Sequence, residues 1–129
     1  MAPYTYAIGR RKTATARIKL FEGVGQDMIN GKKVGDYVTR SDLFEILYTP
    51  LKSTKLKDKV FFEAVVEGSW ISAQVDAIAF ATSRAISSKD STLRKILKGA
   101  ELLTSDSRKV ERKKPGHHKA RKSTQWSKR

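Results

Sequence analysis

The sequence contains no cysteine in its 129 residues. That excludes a disulfide framework, thiolate zinc sites and thiol chemistry, and it agrees with a reducing compartment. No apolar run reaches the roughly eighteen residues needed to span a membrane. The opening stretch MAPYTYAIGRRKTATA lacks the apolar core of a secretory signal, and its alternation suits a strand. Histidine is confined to His117 and His118, with no further ligands close in sequence, so a metal site is not expected. Carboxylates stand singly, without the pairing that acid–base catalysis uses, and no G-x-x-x-x-G-K-[ST] phosphate loop occurs. The chain therefore reads as neither an enzyme nor the holder of a cofactor or small-molecule substrate.

What it has instead is positive charge, at +14 formally. Most of it lies in the last stretch, RKVERKKPGHHKARKSTQWSKR, where Glu111 is the one acid. Arg108, Lys109, Arg112, Lys113, Lys114, Lys119, Arg121 and Lys122 crowd together there, and Lys128 and Arg129 follow beyond Trp126 and Ser127. Only Val110, Ala120 and Trp126 are apolar, and Pro115-Gly116 interrupts any helix. Such a segment repels itself and stays extended until a polyanion supplies counter-charge. Nucleic acid is the first partner to expect, and an anionic membrane the second. A plain solubilising terminus is the bland alternative. The length supports one folded body, residues 1–107, plus a tail, 108–129.

Along the body, Tyr6 and Ile8 begin a period-two alternation. It continues with Ala14, Ala16, Ile18 and Leu20 on one face and Thr13, Thr15, Arg17 and Lys19 on the other. That predicts a half-buried strand with a basic outer face, bent near Arg10-Arg11-Lys12. Asn30-Gly31 marks a tight reversal in a meander, with Val34 to Val38 following. A short helix is expected over about 42–48, with Leu43, Ile46 and Leu47 inward, capped by Ser41 or Asp42 and ended by Pro50. Residues 52–59 read as a loop, and 60–67 (VFFEAVVE) as the strongest strand. A long helix over about 71–87 buries Ile71, Val75, Ile78, Thr82, Ala85 and Ile86, slimmed by Ala73, Ala77, Ala79 and Ala81. Asp90 or Ser91 caps another helix, with Leu93, Ile96 and Leu97 inward and Gly99 at its end. Leu102-Leu103-Thr104 reads as a last short strand. The order predicts an α+β domain with helices on one face of a sheet. Trp70 and Phe80 read as packing residues, while Trp126 either docks in a pocket or stacks on a base or ribose.

These residues resemble the bacterial-type ninth protein of the small ribosomal subunit. The resemblance is carried by GRRKTATARIKL (Gly9 to Leu20), by Asn30-Gly31-Lys32 and by Ser72-Ala73-Gln74 with Ala77-Ile78 and Arg84-Ala85. Leu93-Arg94, the stretch from Leu102-Leu103-Thr104 to Lys114, Lys119-Ala120-Arg121-Lys122 and Gln125-Trp126-Ser127-Lys128-Arg129 extend it to nearly the whole chain. The sequence departs from the pattern before the long helix, where only Gly68 remains of a glycine-rich run. Within that helix, Ala79-Phe80-Ala81 replaces a more basic stretch, and Trp126 stands where Phe is usual. The resemblance implies a ribosomal S5 domain-2-like fold with a left-handed βαβ crossover. It also implies a cytoplasmic place in the head of the small subunit, among the other head proteins. Arg10, Arg11, Lys12, Arg17 and the tail cations Arg108, Lys109, Arg112, Lys113, Lys114, Lys119, Arg121 and Lys122 would then contact small-subunit rRNA. Ser127, Lys128 and Arg129 would approach peptidyl-site tRNA.

Overall fold

The computed structural model describes residues 3–127. Strand β1 (Tyr4–Arg11) pairs antiparallel with β2 (Ala14–Glu22), Arg11 lying opposite Ala14. The single bent strand expected here is therefore a hairpin. Lys12 turns it with a left-handed φ of 53°. No glycine or asparagine marks the turn, which is why the pattern reads straight through it. The reversal changes the parity, so Ala7 and Gly9 share the inner face with Ile18 and Ala16, while Tyr6 and Ile8 lie outside beside Lys19 and Arg17.

The short strands β3 (Met28–Ile29) and β4 (Lys32–Lys33) form a second hairpin across Asn30-Gly31. Both turn residues have positive φ, as the pair's chemistry predicts. Asn30 also bonds outward: its Nδ2 donates to Val66 O (3.0 Å) and its Oδ1 accepts from Val66 N (2.8 Å). After α1 (Val34–Tyr37) and α2 (Ser41–Ser53) comes β5 (Val60–Glu67). β5 runs antiparallel to β2 and parallel to β3, giving the order β1-β2-β5-β3-β4. Helix α3 (Ile71–Lys89), a 3-10 turn (Ser91–Leu93) and α4 (Arg94–Gly99) complete the regular structure.

On β2 and β5 the alternation is clean. Ala14, Ala16, Ile18 and Leu20, and Val60, Phe62, Ala64 and Val66, are buried; the residues between them are exposed or half-buried. One face of the sheet is thus covered, and α3 covers it, packing on β1 and β2, with α2 packed against α3. Val75, Ala77, Ile78, Ala81, Thr82, Ala85 and Ile86 of α3 are buried. The alanines let the backbones approach closely. At the tightest point a Cβ on Gly9 would lie 2.2 Å from the Ala77 carbonyl oxygen and 2.7 Å from the Ala81 nitrogen. Only glycine fits there.

Helix α2 runs past its expected end. Leu43, Leu47, Pro50 and Leu51 are all buried, a stripe at i, i+4, i+7 and i+8 that continues through the proline. Pro50 forfeits one backbone hydrogen bond, and burial of the next turn offsets the loss. The helix ends in a Schellman motif, with Leu56 N donating to Leu51 O (2.9 Å) and Lys55 N to Lys52 O (3.2 Å). Its left-handed residue is Lys55, φ 59°, so no glycine signals the stop. Arg40 precedes the first turn with no side-chain cap, and neither Ser41 nor Asp42 serves as one. Ile46 is exposed.

The same motif explains the missing last strand. Leu102 N donates to Leu97 O (2.9 Å) and Glu101 N to Lys98 O (3.1 Å), with Glu101 at φ 60°. Leu102 and Leu103 then pack back on the core as the apolar part of the cap. Asp90 does cap the preceding turn, accepting from Thr92 N. Leu97 is buried, whereas Ile96 and Ile71 are exposed. Trp70, expected to pack, is 85% exposed; Gly68 and Ser69, both at positive φ, swing the chain outward just before it. Phe80 is half-buried at the surface of α3.

Candidate nucleic-acid interface

The cations predicted to meet RNA fall into two groups. Arg10, Arg11, Lys12 and Arg17 sit on the first hairpin, and the rest lie on the segment that leaves α4. The outer positions of the sheet carry Arg10, Arg17 and Lys19 among Tyr4, Tyr6, Phe21 and Phe61. The Phe21 and Phe61 rings stack at 5.0 Å, and Lys19 Nζ lies 5.0 Å from the Tyr4 ring centroid. Arg10 and Lys12 are exposed, and Arg17 faces Glu67 at 3.8 Å.

Arg11 is different. Its parity on β1 turns it inward, and its side chain is only 17% exposed. Its Nη1 donates to Arg108 O (3.0 Å), and its guanidinium stands 3.3 Å from Asp106 and 3.7 Å from Asp76 of α3. Asp106 in turn accepts from the backbone N–H of Arg108 (3.0 Å) and from its guanidinium (2.7 Å). The Arg108 hydrogen bonds, with Arg11 nearby, hold the Asp106 carboxyl well below the ordinary aspartate range. Burial pushes Asp76 the other way, against the pull of Arg11 and Lys12. The cluster fastens the root of the tail to the turn of the hairpin and to the long helix. An aspartate two residues before its backbone partner is a local turn signal, legible in Asp106-Ser107-Arg108.

Beyond it the tail has no helix or named strand among the described residues, yet it is not featureless. His117 and Ser123 form an isolated antiparallel bridge, and His118 N donates to Lys122 O (2.8 Å). Arg121 grips Glu111 with two bonds of 2.7 and 2.9 Å. That contact lowers the Glu111 pKa and raises that of Arg121. The result is a small loop presenting exposed Lys119 and Lys122. Among the described residues, Lys109, Arg112, Lys113, Lys114, Lys119 and Lys122 are in no ion pair. Ser127 is exposed and Trp126 is 98% exposed, so Trp126 is not docked in a pocket. Lys128 and Arg129 lie outside the described residues.

Comparison with known proteins decides the family. The chain matches the family described as Ribosomal protein S9/S16 over residues 9–129. It is similar to the protein named small ribosomal subunit protein uS9 of Maridesulfovibrio salexigens, with 45% identity over 98% of this chain and 97% of the relative. The proteins of the same name from Lawsonia intracellularis (43%, over 98% and 97%) and Gemmatimonas aurantiaca (40%, over the full length of both) are close behind. This chain belongs to the ribosomal protein S9 family. Membership makes it a ribosomal protein rather than an enzyme, and the relatives match hairpin, helices and tail together. Among the described residues no cluster of His, Cys, Asp or Glu could hold a metal, and no helix is long and apolar enough to cross a membrane.

Proposed function

We propose that this S9-family protein is a structural constituent of the small ribosomal subunit and binds the rRNA of its head. The carrying observation is that Lys109, Arg112, Lys113, Lys114, Lys119 and Lys122 find no carboxylate among the described residues, while Arg121 pairs with Glu111. Cations held together without counter-charge are stabilised by phosphates, and the counterions those phosphates release drive the binding. Contacts of this kind hold register without reading bases. Residues 1–107 serve as the body and 108–129 as the arm. Arg10, Lys12 and Arg17 add contacts on the hairpin, while Arg11 contributes by fastening the arm. The parallel pairing of β3 with β5, joined through β4, α1 and α2, is the βαβ crossover that an S5 domain-2-like topology contains; its left hand is carried by the family resemblance alone.

Ser127, Lys128 and Arg129 follow the exposed Trp126 and stand apart from the cluster ending at Lys122. That separation supports a second anionic target, peptidyl-site tRNA, in a cytoplasmic ribosome. Neighbouring head proteins complete the partners. The test is co-sedimentation with small subunits at moderate salt, followed by tRNA dissociation from subunits lacking the last two residues. Failure to co-sediment overturns the ribosomal placement, and unchanged tRNA dissociation overturns the role of the tip.

A further inference from the structure

Three open depressions, each about 450–470 Å³, meet around Phe80 on the outer side of α3. The size of each lies in the range that holds a small organic group. Phe80 lines all three and Arg84 two of them, with Arg10 on one flank and Arg94 on the other. Arg84 is fixed in place: its Nη1 donates to Ile8 O (2.7 Å) and its guanidinium carbon stands 5.8 Å from the Phe80 ring centroid. Arg94 donates to Ser87 Oγ (3.3 Å). Among the described residues Arg10, Arg84 and Arg94 are in no ion pair. Three acids line the far end of the first depression: Asp76 and Asp106 already face Arg11, while Glu101 is exposed just past the end of α4 and in no ion pair among the described residues. The groove therefore joins a half-buried aromatic and a held guanidinium to two flanking cations.

We propose that this groove binds an unpaired nucleotide of the rRNA, its base against Phe80 and Arg84 and its flanking phosphates on Arg10 and Arg94. The proposal rests on the rRNA-binding reading above and adds a contact on the body, away from the tail. Flat π-systems and guanidinium planes are the surfaces on which splayed RNA bases stack. An acidic peptide would use the cations but supplies a flat group only where it happens to carry an aromatic side chain, whereas every nucleotide joins a planar base to a phosphate, so the pairing of the two favours RNA.

The full-length protein is bound to small-subunit rRNA over a range of salt. Stacking is insensitive to salt, so Phe80→Ala lowers affinity about 5- to 150-fold with the salt slope unchanged, whereas Phe80→Trp retains binding. Arg94→Gln reduces the slope by about 0.7 to 0.9. Circular dichroism checks that each variant folds. In reconstituted subunits, p-benzoylphenylalanine at position 80 crosslinks to rRNA. Equal affinity for Phe80→Ala and wild type overturns the proposal, as does a crosslink to a ribosomal protein. Absence of salt-dependent binding by the wild type instead overturns the rRNA-binding reading itself.

Discussion

The seam between α3 and β1 and the tail beyond Ser107 meet at Arg11, yet opposite forces hold them. In the seam, alanines and Gly9 bring two backbones into contact and exclude water. In the tail, named contacts are ionic or backbone bonds at exposed groups, and most cations are left without a partner. Close packing tolerates no added atom, while exposed ion pairs contribute little to stability and answer to salt. Shape and charge are therefore separable in this chain. A substitution in the seam should change stability and leave the salt dependence of binding alone. One in the tail should do the reverse.

The largest test of that separation is removal of residues 108–129. Every phosphate that the arm no longer neutralises flattens the plot of log affinity against log salt by about 0.7 to 0.9, so deletion should flatten it by several units. Titration against rRNA at several salts measures this. The truncated chain should still melt cooperatively, because among the described residues every buried apolar side chain of the core lies between Ala14 and Leu97. A broad, non-cooperative melt would show that the tail contributes to folding.

Next comes Gly9→Ala. A Cβ at 2.2 Å from the Ala77 carbonyl forces the seam apart, and overpacking of this kind costs about 1–3 kcal/mol or more. Denaturant unfolding reads the loss, with the salt slope of binding unchanged. Gly68 belongs to the same test, since a Cβ there meets the Thr13 carbonyl at 2.4 Å and its φ is +82°.

A smaller effect is expected at Asp27, which accepts from Tyr48 Oη (2.8 Å) and Phe62 N (3.0 Å). Burial dominates and raises its pKa above 3.8 despite those bonds. A raised folded value means that the folded state holds the proton more tightly. Stability from this group is thus full below 3.8 and is lost as pH climbs through the raised value. Asp27→Asn keeps an acceptor without the charge, so its melting temperature should fall less than wild type's over that interval, by a few degrees at most. Parallel curves would place the cost elsewhere. Trp70→Ala should do least, within about 0.5 kcal/mol, because the ring is almost wholly in solvent. A larger loss in thermal melts would mean that Trp70 packs after all.

Sequence alone determined the elements whose chemistry is local. The strand of residues 60–67, the Asn30-Gly31 turn, a cap at Asp90 or Ser91 and the charge of the tail are all legible because propensity, turn type and composition act within a few residues. The end of α2 was hidden, since Lys55 takes the left-handed position that glycine usually announces; α4 does end at the expected Gly99, but nothing announced the left-handed Glu101 that turns the chain after it. The first turn was hidden in the same way by Lys12. Only the tertiary structure decided that Arg11 faces inward and fastens the tail, that Trp70 faces water, and that Phe80 gathers three arginines around a groove. Those outcomes depend on the parity of a hairpin and on which helix crosses it. Both are set by contacts between residues far apart in the chain, such as Arg11 with Asp106 and Arg84 with Ile8, which no short stretch of sequence contains.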